Sequence, residues 1–277
     1  MELDPVLESI SKKSYESIPV NQEDYIGEDG FLYCGKCHTP KERVDILLGR
    51  EYRHMVLCKC EAAKQKEIEE REKHQKYQDD LRERCFRYPE MYNWTFANDN
   101  GNNPKLTEVC KNFVDHFDEF AEAGRGLLLY GSQGLGKSWF AASIANALID
   151  KEIGCKFVDF TQIANILSDM REGRNDYINL LATYPLLILD DLDAERDTSY
   201  MDELVFSTID ARSKQNKPLL VTTNLTREKL RTPKSTSKAR IISRLYQLCV
   251  PFEVVGNDQR YAELASDFGH FKQVLGI

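Results

Sequence analysis

Leu127 to Ser138 reads LLLYGSQGLGKS: an apolar run, a glycine-rich turn, and a lysine and serine that open the helical pattern WFAASIANAL. Leu127 to Tyr130 has the length and composition of a buried strand. Gly131, Gly134 and Gly136 let the backbone turn so that successive N–H groups point inward at an anion, beside the positive end of a helix dipole. In a GxxxxGKS loop, Gly131, Ser132, Gln133, Gly134, Leu135 and Gly136 form the cradle. Lys137 reaches the β- and γ-phosphates and the Ser138 hydroxyl ligates magnesium. The preceding strand and following helix are the context this motif requires, so the spacing predicts a site for ATP with Mg2+ rather than a plain turn.

Outward from this loop the chain alternates apolar runs with helical patterns, which predicts an α/β fold with a parallel sheet. Strands are expected near Leu128, Val158, Ile188, Val221 and Val254. Helices are expected from Gly136, Thr161, Tyr200 and Lys238, with a last one from about Gln259. The strand Leu186 to Leu189 ends in Asp190 and Asp191. Asp190 is placed to hold magnesium, directly or through water, and Asp191 to position or polarise the attacking water. An aspartate is shorter than the glutamate common at that place, so weak or partner-dependent hydrolysis is expected. Asp193 and Glu195 read as loop charges. The next strand, PLLVTTN, delivers Asn224 to the same edge of the sheet, where it can orient water near the γ-phosphate; the competing reading is an ordinary turn asparagine.

The N-terminal part has another character. Of eight cysteines, Cys34, Cys37, Cys58 and Cys60 fall in one cluster, and Cys85, Cys110, Cys155 and Cys249 are scattered as small core residues. The C-x2-C and C-x-C pairs suit tetrahedral zinc (Zn2+) in a closed structural site. The tighter second pair leaves His38 or His54 as possible substitutes for one cysteine. A thioredoxin-like redox pair would need a βαβ context that is absent, and would leave Cys58 and Cys60 unexplained. Residues 1 to about 30 read as a short helix or a loose leader. Residues 61–87 contain no Gly or Pro and interleave acidic and basic residues, which predicts a solvated connecting helix. The expected organisation is a zinc-binding module over 1–60, a helical linker over 61–87 and an ATPase domain over 88–277. The net charge of -8 over 277 residues argues against a surface coated in positive charge for duplex DNA. No run approaches the ~20 apolar residues that span a bilayer, and the N-terminus is not signal-like, so a cytoplasmic protein without a membrane partner is expected.

Taken together, LLLYGSQGLGKS, LLILDDLDAE, VTTN and KARIISRL resemble the AAA+ ATPase core of the DnaC/DnaI-type replicative helicase loaders, phage versions included. The related transposition ATPase IstB shares that core. The resemblance covers about Tyr88 to the C-terminus and implies a P-loop AAA+ parallel-sheet domain. It implies Arg244 as a trans-acting arginine finger and Arg240 as a supporting cation; the alternative is a solvated helix face at i, i+4. It implies a helical insertion within FTQIANILSDMREGRNDYINLL lining a path for single-stranded DNA, with Arg171 and Arg174 nearby; the alternative for either arginine is an ordinary surface helix charge. It places MYNWTFAND near the adenine, with Trp94 and Phe96 as apolar candidates; the alternative for both is a place in the core. Too little sequence follows PFEVVGNDQR for a full helical lid, and Arg260 ranks below Arg244 as a phosphate contact. The function implied is loading of a DnaB-type hexameric helicase onto single-stranded DNA in DNA replication, by a homo-oligomer assembled with ATP, with the N-terminal module docking on the helicase. Two alternatives stand beside it: an IstB-like ATPase coating duplex DNA, and a nucleotide-gated adaptor with little hydrolysis.

Overall fold

The computed structural model describes residues 4–47, 49–192, 198–256, 258 and 271–276. The chain divides into two compact units, Met1–Lys76 and Tyr77–Ile277.

In the first unit the leader is helical, α1 (Asp4–Ser17). Two small antiparallel hairpins follow, β1 (Tyr25–Ile26) with β2 (Leu32–Tyr33) and β3 (Glu42–Leu47) with β4 (Arg50–Met55). Next comes α2 (Lys59–Cys85), whose closely mixed charges leave it without an apolar face. Among the described residues of this unit the buried apolar side chains are Cys34, Met55 and Cys58, so hydrophobic burial contributes little. At its centre is instead an ion cluster. The fully buried Lys41 donates from Nζ to Pro19 O at 2.6 Å, Asp24 Oδ2 at 3.0 Å and Glu61 Oε1 at 3.0 Å. Burial works against the charge on Lys41, but the hydrogen bonds and charges of Asp24 and Glu61 outweigh it and raise its pKa.

The boundary at Lys76 and Tyr77 lies inside α2, not at either end of the linker expected over 61–87. Leu81, Cys85 and Phe86 pack into the second unit's core, so the last turns of α2 are part of that unit. The remaining elements are α3 (Pro104–Asp115), α4 (Phe117–Glu122), β5 (Gly126–Tyr130), α5 (Lys137–Asp150), β6 (Cys155–Asp159), α6 (Phe160–Asp169), α7 (Arg174–Thr183), β7 (Leu186–Leu192), α8 (Ser199–Lys214), β8 (Leu219–Thr223), α9 (Arg227–Arg231), α10 (Thr236–Leu248) and β9 (Cys249–Glu253). The five strands are parallel, in the order β6-β7-β8-β5-β9.

Side chains alternate across a strand, so continuous apolar runs feed both faces of the sheet. Leu127, Leu129 and Ile188 face a core closed by α3 and α5; Leu128, Leu187 and Leu189 face one closed by α6, α7, α8 and α10. Helix starts follow side-chain caps at Asn103, Asp159, Thr198, Thr226 and Ser235. They fall within two residues of the starts expected from Thr161, Tyr200 and Lys238. The strand expected near Val254 is displaced, ending at Glu253. The helix expected from Gln259, the lid question over residues 259–270, and Asp193, Glu195 and Arg260 lie outside the described residues. Cys85, Cys110, Cys155 and Cys249 are all buried, and burial pushes the Cys85 and Cys110 thiols up to about 12.

Arg212 of α8 clamps two strand entries. Wholly buried, it donates from Nε to Pro218 O at 3.0 Å, from Nη1 to Ala182 O at 2.8 Å and Tyr184 O at 2.5 Å, and from Nη2 to Pro185 O at 2.8 Å and to Pro218 O. Burial lowers its pKa to about 9, leaving it a cation at neutral pH. Arg212→Ala should destabilise the second unit by about 4 kcal/mol, because it leaves several carbonyls unpaired beside a cavity. Arg212→Lys, with fewer donors and no planar fork, should recover only part of this loss. The shift of the urea unfolding midpoint measures both.

Candidate functional site

At the end of β5 the backbone takes positive φ at Gly131 (143°), Gly134 (75°) and Gly136 (79°) before α5 begins at Lys137. The loop opens onto a cleft of about 670 Å³ lined by Gln133 to Phe140, Trp94, Asn98 to Asn100, Asp190, Asp191, Thr222 and Asn224. The chain's two tryptophans, Trp94 and Trp139, therefore both face the cleft. Phe96 packs against the same core as both tryptophans but does not line the cleft, and Lys111 Nζ lies 5.9 Å from its ring centroid.

Strand order explains how the polar groups meet. Because β8 lies between β5 and β7, the chain leaving β8 emerges between the glycine loop and the paired aspartates. Asn224 occupies that position: its Oδ1 accepts from Lys137 Nζ at 2.8 Å and its Nδ2 donates to Asp191 Oδ1 at 2.5 Å. Lys137 also donates to Gly131 O at 2.9 Å and Ser132 O at 2.6 Å, so the loop's own carbonyls hold this buried ammonium. Asp191 has a φ of 54°, at a register shift between Leu189 and Leu192. Thr222 joins the pair, donating to Asp190 Oδ1 at 2.6 Å and accepting from Asp191 N at 2.9 Å. Burial raises the pKa of Asp190 and the charges of Asp191 and Asp159 add to the rise, while hydrogen bonds from Thr222 and Ser138 pull the other way. Ser138 and Asp190 both line the cleft and are two hard oxygen donors of the kind magnesium takes alongside phosphate.

The structure does not bring Arg240 or Arg244 into this cleft. Arg244 lies on α10 with Nη2 3.1 Å from Asp210 Oδ1 and Nη1 3.0 Å from Gln247 Oε1; Arg240 stacks 4.3 Å over the Phe206 ring. In the segment between β6 and β7, Arg171 is exposed in the turn between α6 and α7, and Arg174 opens α7 with Nε 3.2 Å from Met170 O. Thr222, Trp139 and Asn100 line the cleft without having been singled out by the sequence, whereas Asn98 and Asp99 fall within the MYNWTFAND segment expected near the adenine. Thr222 had a signal, since it precedes Asn224 by two residues on the strand that carries it.

In the first unit the sulfurs of Cys34, Cys37, Cys58 and Cys60 all lie within 4.8 Å of one another, with Cys34 to Cys60 at 3.6 Å and Cys58 to Cys60 at 3.3 Å. A tetrahedral zinc with 2.3 Å Zn–S bonds separates its sulfurs by about 3.8 Å, so the set fits that metal. Cys37 is drawn down to about 5, chiefly by the Thr39 hydroxyl at 3.0 Å, whereas burial pushes Cys58 up. Neither histidine joins the cluster. His38 Nδ1 pairs with the Tyr25 hydroxyl at 3.2 Å, and His54 stacks on Tyr52 with Nε2 3.5 Å from Asp45.

A glycine loop on β5, a carboxylate pair on β7 and a polar residue on an intervening β8 define a P-loop ATP-binding protein of the AAA+ type. The chain belongs to the IstB-like ATP binding protein family, whose model matches residues 66–263, and within it is a DnaC/DnaI-like AAA+ protein. It is 26% identical over 201 residues to the replicative helicase loader DnaI of Bacillus subtilis (strain 168), a match spanning 68% of this chain and 65% of that protein. A crystal structure of DnaI superposes with a TM-score of 0.52 at 25% identity, covering 63% of this chain and 94% of that one. The crystal structure of the DnaC helicase loader gives 0.52 at 26% identity, covering 61% and 100%. Among the described residues no helix is long and apolar enough to cross a membrane.

Proposed function

We propose that this chain is a cytoplasmic AAA+ ATPase that loads a hexameric replicative DNA helicase onto single-stranded DNA. The observation that carries the reading is the likeness of its nucleotide-binding core to two helicase loaders, DnaI and DnaC, in both sequence and fold. In this reading the glycine loop receives the phosphates and draws Lys137 off its carbonyls. Ser138 and Asp190 would hold Mg2+, which when bound would neutralise charge on the phosphoryl group. Asp191, steadied by Asn224, orients the attacking water. Subunits assemble when ATP is bound, Arg244 of one meets the nucleotide of the next with Arg240 beside it, and Arg171 and Arg174 lie toward the DNA. The cysteine unit, closed around zinc, docks on the helicase.

A pull-down of a DnaB-type helicase with ATP or ADP tests this, comparing the full chain with one lacking residues 1–76. Removing residues 1–87 instead would strip Leu81, Cys85 and Phe86 from the ATPase core. Binding by the full chain alone is expected, tighter with ATP. The family match supports a second reading, an IstB-like ATPase acting on duplex DNA. Absence of helicase binding by either form, with filaments on duplex DNA, would select it.

A further inference from the structure

We propose that Thr222 is a positioning residue for the phosphate site, its single hydroxyl pinning a bulge in β7 that turns two consecutive aspartates into the same cleft. The inference rests on the nucleotide site proposed above and concerns what aims its carboxylates. On a regular strand successive side chains point to opposite faces, so the sheet would part Asp190 from Asp191. Both nevertheless line the cleft. The strand pairing explains it. Leu189 pairs with Val221 and Leu192 with Thr223, so Asp190 and Asp191 together oppose Thr222 alone. Two residues against one is a β-bulge, which bends the strand and re-aims a side chain. Asp191 carries the irregularity, with a φ of 54° that few residues other than glycine adopt.

A bulge disrupts the backbone ladder, and here two threonine hydroxyls take up groups on either side of it. Thr222 Oγ1 accepts from Asp191 N at 2.9 Å and donates its proton to Asp190 Oδ1 at 2.6 Å, the length of a charge-assisted bond. Thr223 Oγ1 donates to Leu192 O at 2.7 Å, beyond the bulge. The two neighbours therefore have different tasks. Thr223 steadies backbone, whereas Thr222 holds one aspartate by its carboxylate and the next by its peptide N–H. Buried and β-branched, Thr222 keeps its hydroxyl in one orientation. Without that hydroxyl Asp190 loses the bond that sets its plane and Asp191 N loses its acceptor, so both carboxylates stay in the cleft but are poorly aimed. Removing a partner that orients a metal-binding carboxylate typically costs about 10- to 100-fold in metal affinity or activity.

Variants of the full chain test this, read by affinity for a fluorescent ATP analogue across a Mg2+ series, by kcat and KM for ATP at saturating Mg2+, and by melting temperature. Thr222→Val keeps the shape and deletes the hydroxyl. It should bind the analogue in EDTA within about twofold of wild type, need about tenfold more Mg2+ to reach the tight-binding state, and lose about a hundredfold in kcat with KM little changed. Thr222→Ser restores the hydroxyl and should stay within about threefold of wild type throughout. Thr223→Val should lower the melting temperature without moving the Mg2+ requirement. An unchanged Mg2+ requirement in Thr222→Val would overturn the role. So would a Thr222→Ser as impaired as Thr222→Val, or an equal Mg2+ shift in Thr223→Val, since either makes strand packing responsible. Should Thr222→Val not fold, Thr222→Cys, a weaker donor of similar size, is read by the same criteria. Wild type that binds no nucleotide at any Mg2+ concentration would sink the nucleotide site, and this role with it.

Discussion

Arg244→Ala should lower ATP turnover by the assembled protein about a thousandfold or more, while single subunits bind ATP as before, because an arginine finger supplies about 10³ to 10⁵ in kcat. The separation of the two effects comes from position. Arg244 lines no part of its own cleft, and its guanidinium rests on Asp210 at the edge of α8 and α10. An arginine in that place can reach a nucleotide only across a subunit boundary. Two further variants sharpen the test. Asp210→Asn removes the resting partner and should leave turnover intact or higher. Mixing Arg244→Ala with Asp191→Ala should restore part of the activity, because some junctions then pair an intact arginine with an intact aspartate. If Arg244→Ala costs nothing in turnover, the residue is an exposed ion pair worth under about 1 kcal/mol and not an arginine finger.

How much of this was legible in the sequence depended on how local each signal was. The glycine loop, the apolar strand before it and the helix after it occupy adjacent residues, and backbone sterics alone dictate their arrangement. Asp190 and Asp191 were legible for a similar reason: they interrupt an apolar run, although β7 continues past them to Leu192 with both half-buried. What needed tertiary structure was the insertion of β8 between β5 and β7, which turns Asn224 from a residue after a strand into a bridge between Lys137 and Asp191. Thr222 and Trp139 were hidden because a threonine in a strand and a tryptophan in a helix have ordinary packing explanations. The division of α2 was hidden too. Its charge pattern is uniform, and only packing distinguishes Leu81 and Cys85 from the residues before Lys76.

Removing zinc should unfold the first unit and leave the second able to bind ATP. The expectation follows from what holds residues 4–76 together. Among those described, Cys34, Met55 and Cys58 are the buried apolar side chains, and two of the three are candidate metal ligands. The Lys41 cluster cannot replace them, since a buried ion pair roughly offsets its own desolvation and depends on the surrounding fold to keep water out. Structural zinc bound to thiolates contributes about 10 to 16 kcal/mol, more than the whole stability of most small domains. A chelator strong enough to compete, or Cys37→Ser, should therefore abolish amide protection in β3 and β4 while β5, β7 and β8 stay protected in hydrogen exchange. Metal release should amount to about one zinc per chain. Lys41→Met separates the metal from the ion cluster. It leaves the buried Asp24 side chain and the half-buried Glu61 without their cation, at a cost of about 3 to 5 kcal/mol, yet the thiols remain and added zinc should restore the fold. Hairpins that stay protected after the metal is gone would show that the ion cluster carries this unit, and the four sulfurs would then need another explanation for lying within 4.8 Å of one another.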